Sequence, residues 1–186
     1  IFHDNKSKIY SDTGPVMEKV WAKKAGLGWT GKNTLLINPV SGSFCFIGVI
    51  LTTLELGFFT ESIENRCGNC TKCIDACPTK ALSEPGVLDA RKCIAYLTIE
   101  KKGEFTNEQA NSLNSWIFGC DICQEVCPYN KYIVEHNETD FETLNEINDL
   151  NININSMSQS QFRKKYAKSA INRCSLKNLL RNYKAN

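Results

Sequence analysis

Apolar positions recur at helical spacing near the start of the chain. Val16, Met17, Val20, Trp21 and Ala25 share one face, which predicts a helix over 15–25 ended by Gly26. The residues before it, 1–13, are polar and turn-rich. Two apolar runs follow, 35–37 and 44–51, separated by Asn38-Pro39-Val40-Ser41-Gly42. They predict two strands joined by that turn, the second of them buried. Cys45 lies inside the second run, and both Cys45 and Cys174 read as small buried hydrophobes. Short helices are expected around 89–98, over 107–118 and after each Cys-Pro pair. Two C-terminal helices are expected at 161–170 and 176–183. Their apolar stripes are Phe162/Tyr166 and Leu176/Leu179/Leu180/Tyr183, with Ser160 and Ser175 as available N-caps. The Asn- and Ile-rich stretch 145–155 reads as a linker. These elements predict an α+β chain.

The cysteines change the picture. Eight of ten fall into one pattern: Cys67-x2-Cys70-x2-Cys73-x3-Cys77-Pro78, then a solitary Cys93, then Cys120-x2-Cys123-x3-Cys127-Pro128 after 26 intervening residues. Eight thiolates, with Pro closing each block, match the ligand count of two [4Fe–4S] clusters. Three cysteines at x2 intervals offer three sulfurs to one cube, and the fourth points away. In two-cluster ferredoxins that fourth Cys serves the other cluster. The expected sets are Cys67, Cys70, Cys73 and Cys127 for cluster one, and Cys93, Cys120, Cys123 and Cys77 for cluster two. Zinc sites favour paired CxxC units with His partners, yet His3 and His136 lie outside the blocks. Disulfides need an oxidising compartment, and no secretory signal is visible. No apolar run approaches a membrane span. A cytoplasmic protein without a membrane partner is the expectation.

Charge is modest overall and uneven locally. The net charge is +2. From Met157 onward there are eight Lys or Arg and no acid, which leaves the rest of the chain at −6. An acidic stretch precedes that tail. A single-sign basic segment suggests a polyanion partner; a solvated helix face is the alternative. The segment Gly26-Leu27-Gly28-Trp29-Thr30-Gly31-Lys32-Asn33-Thr34 matches GxGxxG and nearly a phosphate-binding loop. Both motifs need a strand before and a helix after. The order here is reversed, so neither nucleotide reading applies. The glycines are expected to allow positive φ and close approach of the backbone to a bulky ligand.

Three segments extend the reading. Asp12-Thr13-Gly14-Pro15-Val16-Met17-Glu18-Lys19, the stretch from Ala25 to Ile37, and Cys120-Asp121-Ile122-Cys123-Gln124-Glu125-Val126-Cys127-Pro128 together resemble the epoxyqueuosine reductases. Phe162 to Arg173 and Leu179-Leu180-Arg181-Asn182 resemble the same family's C-terminal region. The resemblance implies reduction of the epoxide of epoxyqueuosine in a tRNA wobble position, the last step of queuosine synthesis. It implies cobalamin and two [4Fe–4S] clusters as cofactors, and a low-potential electron donor. It implies Asp12 as the proton donor, and Lys32, Asn33, Leu36, Ile47 and Asp121 as cobalamin contacts. On the residues alone, Asp12 in Asp-Thr-Gly-Pro also reads as a turn and helix N-cap. The basic residues Arg163, Lys164, Lys165, Lys168 and Arg173, with Lys101 and Lys102, are the expected contacts to tRNA. Family members carry a further N-terminal region, and the chain starts at Ile1 rather than Met, so an incomplete cobalamin pocket is expected.

The resulting expectation is a partial cobalamin-binding α/β portion at 1–60, a ferredoxin-like two-cluster domain at 61–132, and a linker with a helical basic tail at 133–186. Two rival functions stay open. One is a corrinoid reductive dehalogenase, which the basic tail and missing export signal disfavour. The other is an electron carrier without catalysis.

Overall fold

A computed structural model describes residues 6–57, 61–133, 137–139 and 154–186. The chain forms two compact units interleaved in sequence: residues 1–76, 82–87 and 122–134 make unit one, and 77–81, 88–121 and 135–186 make unit two. Most of the linker stretch at 145–155 and His3 and His136 lie outside the described residues.

Unit one opens with strand β1 (Ser7–Tyr10), then helix α1 (Glu18–Lys24), strands β2 (Trp29–Thr30) and β3 (Leu36–Ile37), and strand β4 (Val49–Thr52). The helix is shorter than its apolar spacing predicts. Met17 is its N-cap and makes no side-chain capping bond, so Asp12 is no cap. The expected hairpin between the two apolar runs does not form. β3 pairs antiparallel with β2, and β4 pairs antiparallel with β1 in the register Ile9↔Ile50. The turn between the runs closes on itself, with Asn38 and Gly42 exchanging backbone bonds of 2.8 and 3.0 Å. The second run is also not buried: Phe46 is 82% exposed and Ile50 64%. It belongs to a two-stranded ribbon, and a ribbon has no second layer to cover both faces.

The order helix, then strand, holds across the glycine segment, as the rejection of the nucleotide motifs required. Two of the glycines answer to close approaches within the chain itself. Gly26 has φ +71°, and a Cβ on Gly28 would lie 2.2 Å from the Ile37 carbonyl oxygen. Side chains are excluded there by the neighbouring strand. Helices α2 (Lys72–Asp75) and α4 (Ile122–Glu125) pack together in unit one. Asn130 is buried and fixes the second Cys-Pro turn to the first half of the unit. Its side chain accepts from the Ser43 N–H at 2.7 Å and donates to Ser43 Oγ at 2.9 Å and the Gln124 carbonyl at 2.8 Å. A short hairpin joins β5 (Leu82–Glu84) and β6 (Val87–Leu88).

Unit two holds a 3-10 turn (Ala90–Lys92), a π-helical turn (Tyr96–Glu100) and helix α3 (Asn107–Asn111). A helix over 107–118 is not formed: Asn114 and Ser115 take positive φ, 52° and 65°, which no α-helix accommodates. No helix follows Pro78 either; a turn through Lys80 at φ 50° replaces it. The core of the unit gathers Ile154, Phe162, Tyr166, Ile171, Cys174, Leu176 and Leu179. Helix α5 (Gln159–Lys165) is capped by Ser158 rather than Ser160, because Gln161 at the third position completes a capping box. Helix α6 (Leu176–Lys184) is capped by Ser175. Cys174 is buried, whereas Cys45 is exposed.

Two polar residues of α6 are buried where the apolar stripe did not foresee them. The Arg181 guanidinium lies 3.8 Å over the Phe105 ring. It donates to the carbonyls of Leu97 and Lys101, each at 3.0 Å, and to that of Gly103. Asn182 donates to the Thr98 and Ile117 carbonyls at 2.7 and 2.8 Å. Irregular backbone over 97–103 leaves carbonyls without ladder partners, and these side chains satisfy them.

Candidate metal centre and active site

Cys67, Cys70, Cys73 and Cys127 line one cavity of about 180 Å³ in unit one. Local structure explains why they meet. Asn65 turns the chain into the first block by accepting the Cys67 N–H at 2.8 Å, and the Cys70 N–H closes back on the Cys67 carbonyl at 2.9 Å. Cys73 rides on α2, and Cys127 ends the α4 segment just before the Pro128–Asn130 turn. Tyr129 Oη then donates to the Arg66 carbonyl at 2.8 Å, holding the two blocks together. Fifty-odd residues of sequence separation vanish in the fold, and the cysteine that joins the first three is Cys127.

The donor set suits a cluster rather than an ion. A single tetrahedral zinc would draw four sulfurs to about 3.8 Å of one another. Among the described residues, no three of His, Cys, Asp and Glu close around one ion. A wider cavity with four thiols on its wall is the geometry of an iron–sulfur cube. Burial pushes the Cys73 and Cys127 thiols up, and the neighbouring cysteines push them further. Bound iron would supply the positive charge that turns these two into thiolates. Lys32, Arg66 and Lys72 also line the cavity, and their charge suits an anionic cluster. Behind it, Trp29 is fully buried with Ile37 and Cys127, and its indole N–H has no acceptor among the described residues. An orphaned donor in the core that holds Cys127 fits a site that a bound cluster would complete.

Cys77, Cys93 and Cys120 belong to unit two, and Cys123 to a unit-one segment. All four are half-buried.

A second cavity of unit one, about 270 Å³, is lined by Asp12, Glu18, Lys19, Leu36, Cys45 and Ile47 among others. Asp12 stands there at φ +58°, a left-handed conformation that Asp and Asn tolerate better than other side chains. Ser11 Oγ donates to the Ile47 carbonyl at 3.2 Å, which pins the aspartate loop to the far wall. Lys19 Nζ donates to the Thr34 carbonyl at 3.1 Å. One oxygen of Glu18 is shielded from water and has no hydrogen-bond partner among the described residues. Apolar Leu36, Phe46 and Ile47 form the remaining wall. Apolar side chains beside a polar rim suit contact with one edge of a ligand larger than the cavity itself.

The structure thus brings together three of the residues singled out from sequence, Asp12, Leu36 and Ile47. Lys32 and Asn33 go elsewhere. Lys32 Nζ donates to the Gly68 carbonyl at 2.7 Å, Asn33 donates to the Cys123 carbonyl at 3.4 Å, and both line the cysteine cavity. Asp121 belongs to unit two. Glu18, Lys19, Arg66 and Lys72 were missed. Glu18 and Lys19 sit in the Asp12–Lys19 segment, inside the helix expected over 15–25, where neither periodicity nor motif singled them out.

In unit two, Arg163, Lys164, Lys168 and Lys102 are exposed, and Lys165 is half-buried beside Tyr166. Arg173 is committed to Glu100, Nε to Oε1 at 2.6 Å. Lys101 is half-buried, and its carbonyl is taken by Arg181.

Residues 66–130 match the 4Fe-4S double cluster binding domain, so the chain carries an iron–sulfur cluster-binding domain. The whole chain points to one family. It is 44% identical over 184 residues to an epoxyqueuosine reductase of Atelocyanobacterium thalassa, covering 97% of this chain and 60% of that protein. It is 41% identical to an epoxyqueuosine reductase of Synechocystis, covering 98% of this chain and 64% of that one. Among solved structures, it matches an epoxyqueuosine reductase with an epoxyqueuosine-modified tRNA-Tyr stem loop at a TM-score of 0.88 and 35% identity, over 98% of this chain and 48% of that chain. An epoxyqueuosine reductase from Bacillus subtilis, whose aspartate catalytic loop is swung out of the active site, matches at 0.86 and 34%. The chain is a homologue of the epoxyqueuosine reductases and spans roughly half to two thirds of their length.

Proposed function

We propose that this chain is part of an epoxyqueuosine reductase, a tRNA-modifying oxidoreductase that converts epoxyqueuosine to queuosine with two [4Fe–4S] clusters and cobalamin. The observation that carries the reading is the cavity holding Asp12, Leu36 and Ile47 in the same unit as the four-cysteine cavity, on a chain that follows epoxyqueuosine reductases along nearly its whole length.

Removing an epoxide oxygen to leave an alkene consumes two electrons and two protons and releases water. Cys67, Cys70, Cys73 and Cys127, and Cys77, Cys93, Cys120 and Cys123, would hold two clusters, which would supply electrons one at a time from a low-potential donor. Cobalamin, when bound against Leu36 and Ile47 and reduced, supplies a strong nucleophile for an epoxide carbon. Asp12 hands a proton to the oxygen freed as the ring opens, a general-acid role. Its loop supports that role, since a relative's catalytic loop is also named for an aspartate. The exposed cations Arg163, Lys164 and Lys168, with Lys165 and Lys102, meet tRNA phosphates. Arg173 and Lys101 are the weaker members of that set, the one paired with Glu100 and the other half-buried.

The test is a single anaerobic turnover of epoxyqueuosine tRNA by the full-length protein, reconstituted with iron, sulfide and cobalamin and reduced chemically. Queuosine is the expected product. A protein that takes up iron and neither binds cobalamin nor forms queuosine is an electron carrier. One that instead dechlorinates small organohalides is a dehalogenase.

A further inference from the structure

Unit two carries a cavity that neither the four-cysteine site nor the basic tail accounts for. It measures about 520 Å³, and two cysteine-bearing turns border it. Pro78, Thr79 and Lys80 come from the turn after Cys77, and Arg91 and Lys92 from the 3-10 turn that runs into Cys93. Cys77 Sγ lies 3.6 Å from Thr79 Oγ1, so a residue of the cavity wall touches a sulfur expected to hold the second cluster. Arg91 is committed to its own turn. Its Nε and Nη2 donate to the two Asp89 oxygens at 3.0 and 3.1 Å, and its N–H donates to the same side chain at 3.1 Å. Lys80 and Lys92 are exposed and make no ion pair among the described residues. With Arg91 neutralised by Asp89, these two lysines stand against Glu108 on the lining.

We propose that this face, centred on Lys80 and Lys92, is the docking surface for a small acidic one-electron carrier protein that reduces the cluster expected at Cys77 and Cys93. This rests on the functional reading above, which calls for such a donor. One electron leaves the carrier and one enters the cluster; no bond breaks and no proton moves. Electron tunnelling falls off exponentially with distance, so a carrier must dock beside a cluster ligand, and both bordering turns hold one. Redox encounters use small interfaces, under about 1,200 Å², in which complementary charge sets the association rate more than the affinity. A slight cationic excess on fixed turns suits that task. The mixed lining also favours a protein over RNA, because Glu108 opposes a phosphate backbone, whereas an acidic protein face can bring its own cation to it.

The experiment times cluster reduction without turnover. Full-length protein loaded with iron and sulfide is mixed anaerobically with reduced plant-type ferredoxin, an acidic [2Fe–2S] carrier of low potential, and the loss of cluster absorbance is followed. The parental rate constant is expected to fall steeply with salt. In the Lys80→Gln/Lys92→Gln double variant it falls about fivefold or more at low salt, and its salt dependence flattens. Rates are taken per intact cluster, and each single variant is measured beside the double one, so a fold defect is not mistaken for lost docking. A reduced viologen, a small cation that needs no docking surface, is expected to reduce the variants no more slowly than the parental protein. Equal ferredoxin rates and slopes in parental and variant proteins overturn the proposal. So does an equal slowing with the viologen, which would place the effect of the lysines on the cluster itself. Weakened tRNA binding with an unchanged ferredoxin rate also overturns it and makes the face an RNA surface. A parental protein that ferredoxin reduces through these lysines and that forms no queuosine sinks the functional reading alone.

Discussion

Asp12 illustrates how a single residue's role depends on what its backbone does. Its motif also spells a helix cap, yet the helix begins at Glu18 with Met17 as the N-cap. Its φ of +58° is tolerated by Asn, so Asp12→Asn keeps the loop while removing the proton. Single-turnover reduction with pre-reduced clusters is expected to fall about 10²–10⁴-fold, with iron and cobalamin content unchanged. A parental rate would return Asp12 to a turn residue. Cys174 makes a different kind of statement. Burial pushes its thiol up to about 11 from 9.0. The folded state therefore holds a proton that the unfolded chain releases earlier. The stability this thiol contributes is fully present below pH 9 and is lost as pH rises toward 11. Denaturant titrations across that window should show a shallower pH dependence in Cys174→Ala than in the parental protein.

At the scale of elements, periodicity located the helices and missed what their polar residues do. α6 was legible from Leu176 and Leu179, but its apolar stripe says nothing of where Arg181 and Asn182 go. They are buried because the π-helical turn Tyr96–Glu100 and the loop after it leave carbonyls that only a side chain can reach. Arg181→Ala should cost about 3 kcal/mol in a denaturant titration, since it strands several acceptors at once. A cost under about 0.5 kcal/mol would mean that water replaces the guanidinium. The last turn of α5 carries Arg163, Lys164 and Lys165. Replacing Arg163, Lys164 and Lys168 by Gln should weaken tRNA binding and flatten its salt dependence, because fewer counterions are released. Arg173→Gln should change that slope less, because its charge already faces Glu100. Equal slopes in all variants would make the tail a solvated face.

At the scale of the molecule, the meeting of Cys127 with Cys67, Cys70 and Cys73 around one cavity is the feature that organises unit one. Cys127→Ala is expected to abolish the cluster held by Cys67, Cys70 and Cys73 and to halve the iron of an anaerobic preparation from about eight atoms to about four. Spectra that instead show loss of the cluster of Cys120 and Cys123 would reverse the assignment. The cysteine spacing, the Cys-Pro closures and the reversed order around the glycine segment were all readable from the chain. Spacing within a block is local, and a local loop presents its sulfurs the same way wherever it sits. The partition of the apolar runs was not readable. β3 and β4 both looked like partners in one hairpin, but the choice among β1, β2 and each other depends on which strand edges come close, and no residue alone encodes that. The same limit applies to the Asp12 cavity. The sequence by itself determined the cysteine pattern of an iron–sulfur domain, the helical tail with its charge, and the aspartate motif. Only the tertiary structure decided that Leu36 and Ile47 face Asp12 while Lys32 and Asn33 face the cysteines, because side chains a few residues apart on a turning backbone are sent to opposite walls by the packing around them.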